Sequence, residues 1–133
     1  MNTIYAVEDH LLADEYIDVV RKSGLNRPIG DRLRIERMLK HANLVVTARQ
    51  DGRLVGFARS LTDFCFCCYL SDLAVDPACQ GQGIGKRLIE ETKKAAGGDQ
   101  TTTLLLSAPT AMTFYQDIKM PHLDNCFAYR RSK

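Results

Sequence analysis

The residues with the clearest chemical use lie between Val75 and Lys86, in the stretch V-D-P-A-C-Q-G-Q-G-I-G-K. An apolar, strand-like run ends at Val75, Asp76 and Pro77 interrupt it, and glycines at 81, 83 and 85 open onto a helix-patterned segment that begins near Ile84. The first turn of a helix carries N–H groups without intrahelical partners, and its dipole adds partial positive charge. Glycines let the backbone approach an anion with no Cβ in the way and adopt positive φ where a turn needs it. Lys86 and Arg87 add full charges beside the loop. The chemistry that fits is diphosphate binding.

Two familiar diphosphate loops do not match. A Walker loop needs glycine where this chain has Gln80 and a Ser or Thr where it has Arg87. The dinucleotide fingerprint G-x-G-x-x-G fails in both registers, because Lys86 or Leu88 takes the last glycine's place. What does match is Gln80-Gly81-Gln82-Gly83-Ile84-Gly85, which resembles the Q/R-x-x-G-x-G/A signature of the GCN5-related N-acetyltransferases, the GNAT superfamily. The preceding Tyr69 to Pro77 is similar to that family's fourth strand and its exit, and Ala111 to Ile118 to the A-x-x-F-Y segment of its fourth helix.

The resemblance implies acetyl-CoA as cosubstrate and a primary amine as acceptor, attacked directly in a ternary complex. Gln80, Gly81, Gln82, Gly83, Ile84, Gly85 and Lys86 would then hold the pyrophosphate, and the backbone of Leu73, Ala74 and Val75 would meet the pantetheine arm. Tyr115 stands where the family commonly has the general acid that protonates the departing thiolate. Helical spacing alone would equally make Tyr115 a core aromatic beside Phe114 and Ile118. Some members carry a glutamate base at the position of Tyr69, which leaves Tyr69 here as a residue lining the substrate pocket. Asp72 is the nearest carboxylate, and an acid inside so apolar a run needs a reason. It is a candidate base or substrate contact, or a hydrogen-bonding partner of neighbouring backbone. A glycine and an aromatic that often end the fourth helix are replaced by Ile118-Lys-Met120 and Pro121, and the acceptor is not legible. Alternatives on the same scaffold are a different acyl donor and a non-catalytic acyl-CoA-binding or sensing module.

The elements that must position these residues follow from pattern. Thr3 to Val7 is a short first strand. Leu12, Ala13, Tyr16, Ile17 and Val20 recur at helical spacing up to Ser23-Gly24. The Gly- and Pro-punctuated loop Gly24 to Gly30 leads to a second helix with Asp31 as N-cap and Leu33, Met38, Leu39 and Ala42 inward. Asn43 to Arg49 and Leu54 to Leu61 are strands joined by the hairpin signal Asp51-Gly52, and Gly56 marks a bulge or a close approach. Phe64 to Val75 is the third strand of the meander. The third helix has Ile84, Leu88, Ile89, Thr92, Ala95 and Ala96 inward and a Glu90–Lys94 pair outward.

Thr102 to Leu106 is a buried strand that the long crossover makes parallel to its predecessor, Thr110 to Ile118 a helix, and Cys126 to Arg130 a last strand. The order β-α-α-β-β-β-α-β-α-β is the GNAT order. It implies an α/β (α+β) acyl-CoA N-acyltransferase fold, with an antiparallel meander, a splayed parallel pair and four flanking helices, in a single domain over residues 1–133.

Composition narrows the partners. The chain has 133 residues, 45% hydrophobic and 26% charged, with a net charge of +2. That is ordinary for a globular protein and too little charge to argue for nucleic acid. The N-terminus lacks the pattern of a signal peptide, and no apolar run approaches the roughly 18 to 20 residues that cross a bilayer. The expectation is a cytoplasmic protein without a membrane partner. Cysteines at 65, 67, 68, 79 and 126 form a poor disulfide framework and lack zinc-site spacing, so they read as buried reduced thiols with no metal. Dimers are common in the family, so a homodimer is one assembly the resemblance allows.

Overall fold

The computed structural model describes residues 2–133. Its elements are β1 (Ile4–Val7), α1 (Ala13–Ser23), α2 (Arg32–His41), β2 (Leu44–Gln50), β3 (Arg53–Thr62), β4 (Cys67–Val75), α3 (Ile84–Ala95), β5 (Thr102–Leu104) and α4 (Met112–Asp117). The strands form one sheet in the order β1-β2-β3-β4-β5, antiparallel except for the parallel pair β4–β5. This is the mixed sheet with flanking helices that the motif order implies.

Each face of the sheet is covered by helices. Tyr16, Ile17, Val19 and Val20 of α1 and Ile35 of α2 pack on Val45, Leu54, Phe57 and Ala74. Ile84, Leu88 and Ile89 of α3 cover the other face, on Leu44, Val46, Ala58 and Leu70. Gly56 is where α3 comes closest: a Cβ there would lie 3.1 Å from Ala74 O and 3.2 Å from Leu88 Cδ1. The Asp51-Gly52 turn has positive φ at both residues, 51° and 79°, which is the combination a two-residue hairpin with the strands' own twist requires.

Several local expectations are corrected. Leu12 and Leu33 are exposed, and Val19 and Ile35 take the buried places. Leu12 precedes the helix in extended conformation, and Ile35, Met38, Leu39 and Ala42 form the i, i+3, i+4, i+7 stripe from which Leu33 points away. β4 begins at Cys67, because the Asp63 carboxylate accepts the N–H groups of Cys65, Phe66 and Cys67 at 2.8–3.0 Å and winds the chain into a turn. Those bonds hold its pKa down at about 2. Glu90 meets Lys86 at 3.9 Å in place of Lys94. Only Cys68 and Cys79 are buried; Cys65, Cys67 and Cys126 are exposed, and all five are free thiols.

β5 stops after three residues and is less buried than predicted. The strand expected at Cys126–Arg130 does not form, and Phe127 stands 95% exposed. β-propensity is a preference for a half-buried pleated surface, and the chain after α4 lies along no paired edge. No helix among the described residues is long and apolar enough to cross a membrane.

Candidate active site

The site is built where β4 and β5 part. They pair only at Cys67↔Thr102, Cys68↔Thr103 and Tyr69↔Leu104. Beyond Tyr69 the remaining residues of β4 have no strand on that side. Tyr69 marks the point of divergence, and its ring is partly exposed there.

Which backbone groups face the gap is set by a bulge. Leu70 pairs with Ser60 and Asp72 with Arg59, so Ser71 is one residue too many for β3. Below it, Asp63 N–H donates to Cys67 O and Thr102 N–H to Phe66 O, so Cys67 and Tyr69 bond β3 while Cys68 and Leu70 face β5. Above it the alternation is reversed. Asp76 N–H donates to Val55 O at 2.7 Å, which puts Asp72 and Ala74 in the bonds with β3 and aims the N–H and C=O of Leu73 and Val75 into the gap. Of the three strand residues expected at a ligand, Leu73 and Val75 present backbone to it and Ala74 does not.

The strand exit is rigid. Asp76 accepts the N–H of Ala78 at 2.9 Å and pairs with Arg53 at 3.1 Å, and these partners lower its pKa despite some desolvation. Pro77 starts a single 3-10 turn, and Gly81 and Gly83 then take positive φ, 81° and 76°. α3 starts with Gly83 as its N-cap, with no side-chain cap, and its first intrahelical bond is Arg87 N–H to Gly83 O. Among the described residues the amides of Gly81, Gln82, Gly83, Ile84, Gly85 and Lys86 have no protein acceptor. These unpaired donors at a helix N-terminus fit a diphosphate, and the free edge beside them fits an amide-bearing arm.

Not every residue of the motif serves the same end. Gly85 has ordinary helical backbone, and its lack of a side chain makes room for Phe114, whose Cζ would be 2.9 Å from a Cβ there. Arg87 is turned away, its guanidinium 4.7 Å from the Tyr5 ring centre and its Nε 2.9 Å from Glu91. Lys86 stands in the first turn of α3 with its ammonium exposed, 3.9 Å from Glu90. Gln82 is tied back through its side chain to Gln50 Nε2 at 3.1 Å, while Cys79 Sγ lies 3.6 Å from Gln50 Oε1. Gln50 thus anchors both sides of the loop, a role that only an unexplained glutamine at a strand end could have signalled.

Tyr115 comes from α4 to the same face. With Leu73, Val75, Leu105, Phe114 and Ile118 it packs half-buried on the α3-side core, so the two sides of the gap share one apolar lining. Its ring meets Phe114 edge-on at 5.0 Å. Burial raises the pKa of its phenol.

Asp72 is corrected. Its carboxylate is fully buried on the α1–α2 side and saturated: Oδ1 accepts from Arg27 Nε at 2.6 Å, and Oδ2 from Arg59 Nε at 2.5 Å and Tyr16 Oη at 2.7 Å. Burial pushes its pKa up, but the Arg59 and Arg27 guanidiniums outweigh it and hold the acid ionised. Tyr16, buried against this charge, is pushed well above the usual phenol range. Asp72 has no access to a substrate and no lone pair in need of a proton. Nothing local in the sequence pairs Arg27, Arg59 or Tyr16 with Asp72; a lone acid in an apolar strand is the sign that polar partners must meet it.

The comparisons agree with this fold. A family described as "Acetyltransferase (GNAT) domain" matches residues 25–118. A rice (Oryza sativa subsp. japonica) relative, "Serotonin N-acetyltransferase 2, chloroplastic", is 32% identical over 104 residues, which cover 74% of this chain and 51% of that protein. The chain thus spans about half the length of the curated relatives it first matches. Among solved structures, a GNAT-family acetyltransferase from Streptococcus pneumoniae superposes with a TM-score of 0.75 at 18% identity, over 99% of this chain and 98% of that one. An aminoglycoside N-acetyltransferase, AAC(6')-Iy, in complex with CoA gives 0.72 at 16% identity, over 99% and 96%. At such identities the structures speak for the fold.

Proposed function

The chain belongs to the GNAT acetyltransferase family, and we propose that it is an acyltransferase that moves the acetyl group of acetyl-CoA to a primary amine by direct attack in a ternary complex. The observation that carries this reading is the juxtaposition of six unpaired amides at the start of α3 with the unpaired edge of β4. Acetyl-CoA supplies an activated thioester carbonyl. The amides of residues 81–86 hold its diphosphate with help from the Lys86 charge, and the backbone of Leu73 and Val75 holds the arm and orients the carbonyl.

A phenol is protonated at neutral pH, burial raises the pKa of Tyr115 further, and its proton passes to the sulfur as the thiolate departs. No carboxylate on β4 is free to act as base. The amine therefore loses one proton to water before attack; a second leaves its nitrogen to water as the amide forms, solvent restores the Tyr115 proton, and binding contributes mainly orientation. The rice relative's name and the aminoglycoside enzyme both point to amine acceptors. We place the acceptor on the side of Tyr69 and the α1–α2 connection.

The test is the shift in unfolding midpoint with acetyl-CoA, CoA, ATP and NAD. A ligand at about 100 times its Kd adds roughly 2.7 kcal/mol of stability. A shift with both CoA forms alone, lost in Gly83→Val, is expected, followed by CoA release with a panel of amines. A larger shift with ATP would overturn the donor site. Binding without turnover on any amine would leave an acyl-CoA-binding module in place of an enzyme.

A further inference from the structure

Among the described residues, the connection between α1 and α2, residues 24–31, is hydrogen-bonded to β4 through one side chain. Arg27 donates through Nε to Asp72 Oδ1 at 2.6 Å and through Nη2 to the carbonyl of Ser71 at 2.7 Å. Ser71 is the extra residue of the bulge. Arg59 Nη2 reaches the same residue's hydroxyl at 3.1 Å. Arg59 and Tyr16 belong to a strand and a helix of the core; Arg27 alone comes from a loop, and its side chain is one-fifth exposed.

The bulge selects between two registers. In an unbroken β4, Asp72 and Ala74 would continue the alternation of Cys68 and Leu70, so the carboxylate would enter the α3-side core and Leu73 and Val75 would turn their backbone groups into β3. The extra residue reverses both. It sends Asp72 to the two arginines and frees the edge of Leu73 and Val75. Removing Arg27 would leave the Ser71 carbonyl without its side-chain donor and Asp72 Oδ1 with only the Ser71 hydroxyl at 3.5 Å, which weakens the bulged register specifically.

Building on the proposed donor site, we propose that Arg27 is a positioning residue for acetyl-CoA: it locks the Ser71 bulge and so aligns the strand edge, although it stands on the acceptor-side loop. Donor binding and the placement of that loop are then energetically linked, because one guanidinium bridges them.

Acetyl-CoA titration by calorimetry on the full chain tests this. Arg27→Met is expected to raise the Kd at least tenfold and to move the amide resonances of Leu73 and Val75. Arg27→Lys, which keeps the charge but not the two-pronged donor geometry, should fall between. Glu15→Gln breaks an ion pair with Arg49 on β2, away from the gap, and should leave the Kd unchanged. A folded Arg27→Met protein that binds within twofold of the unaltered chain would overturn the inference alone. If Arg27→Met does not fold, wild-type affinity in Arg27→Lys would do the same. An unaltered chain that fails to bind acetyl-CoA would remove the donor site itself.

Discussion

Replacing Asp72 by Asn separates a structural carboxylate from a catalytic one. The substitution keeps size and one acceptor but removes the charge that faces Arg27 and Arg59 in a fully buried position. Breaking a buried ion pair from one side costs about 3–5 kcal/mol, because the surviving charge stays desolvated without its partner. Spread over a chain of 133 residues, that is a fall of roughly 10 °C or more in unfolding midpoint. The pH dependence carries a sign. Asp72 has a native pKa below its unfolded value, so its contribution is complete above about pH 4 and is lost as pH falls through the lowered native pKa. The deficit of Asp72→Asn should therefore be constant at neutral pH and shrink on acidification. Urea denaturation at pH 7 and pH 3, alongside turnover at pH 7, measures both. A variant as stable as the parent but with turnover lost, and with the acidic limb of its rate profile gone, would refute the structural assignment and make Asp72 the base.

Three further outcomes follow from the same geometry. Tyr115→Phe should lower kcat by about 10²-fold, the usual contribution of a positioned general acid, while the Kd of acetyl-CoA changes little; equal turnover would return the ring to a packing role. Since burial raises the Tyr115 pKa, the parent's rate should not decline on the alkaline side until above the ordinary tyrosine range near 10. Gly85→Ala places a methyl against Phe114 and should cost about 1–3 kcal/mol, as overpacked cores do. Adding Phe114→Leu should recover most of that loss in a double-mutant cycle, and additive losses would show that the two positions do not meet.

What the sequence disclosed was set by how local the cause is. The Asp51-Gly52 hairpin, the Asp31 cap and the Gly81 to Gly83 turn are each specified within a few residues, and each appears where it was read. Helix phase was largely legible: Met38, Leu39 and Ala42 lie on the buried side of α2 as their spacing implies, and only at the first turn does Ile35, not Leu33, continue the stripe. The arginine and tyrosine partners of Asp72 lie 13, 45 and 56 residues away in sequence, and those of Gln50 are 29, 32 and 47 residues off. No periodicity announces such contacts. The bulge at Ser71 hid the face of Asp72 for the same reason, since one unmatched residue inverts the alternation on which the reading of a strand depends. Cys126 to Arg130 has the composition of a strand but no edge to lie against, and composition carries no information about edges.

The bulge also explains how a strand with an acid at its centre can serve an anionic cosubstrate. Above Ser71, β4 offers the α3 side only Leu73 and Val75, so no carboxylate from this strand opposes the negative charge expected at the nearby amides of residues 81–86. On the other side Asp72 meets two guanidiniums, and the cluster as a whole is cationic. The acceptor side of the gap thus lacks a free acid on β4 to attract an ammonium ion. An acceptor that must arrive as the neutral amine is not trapped in its charged form by such a surface. On the proposed reading, the polar groups of this strand align the donor, and the acceptor's proton is left to solvent.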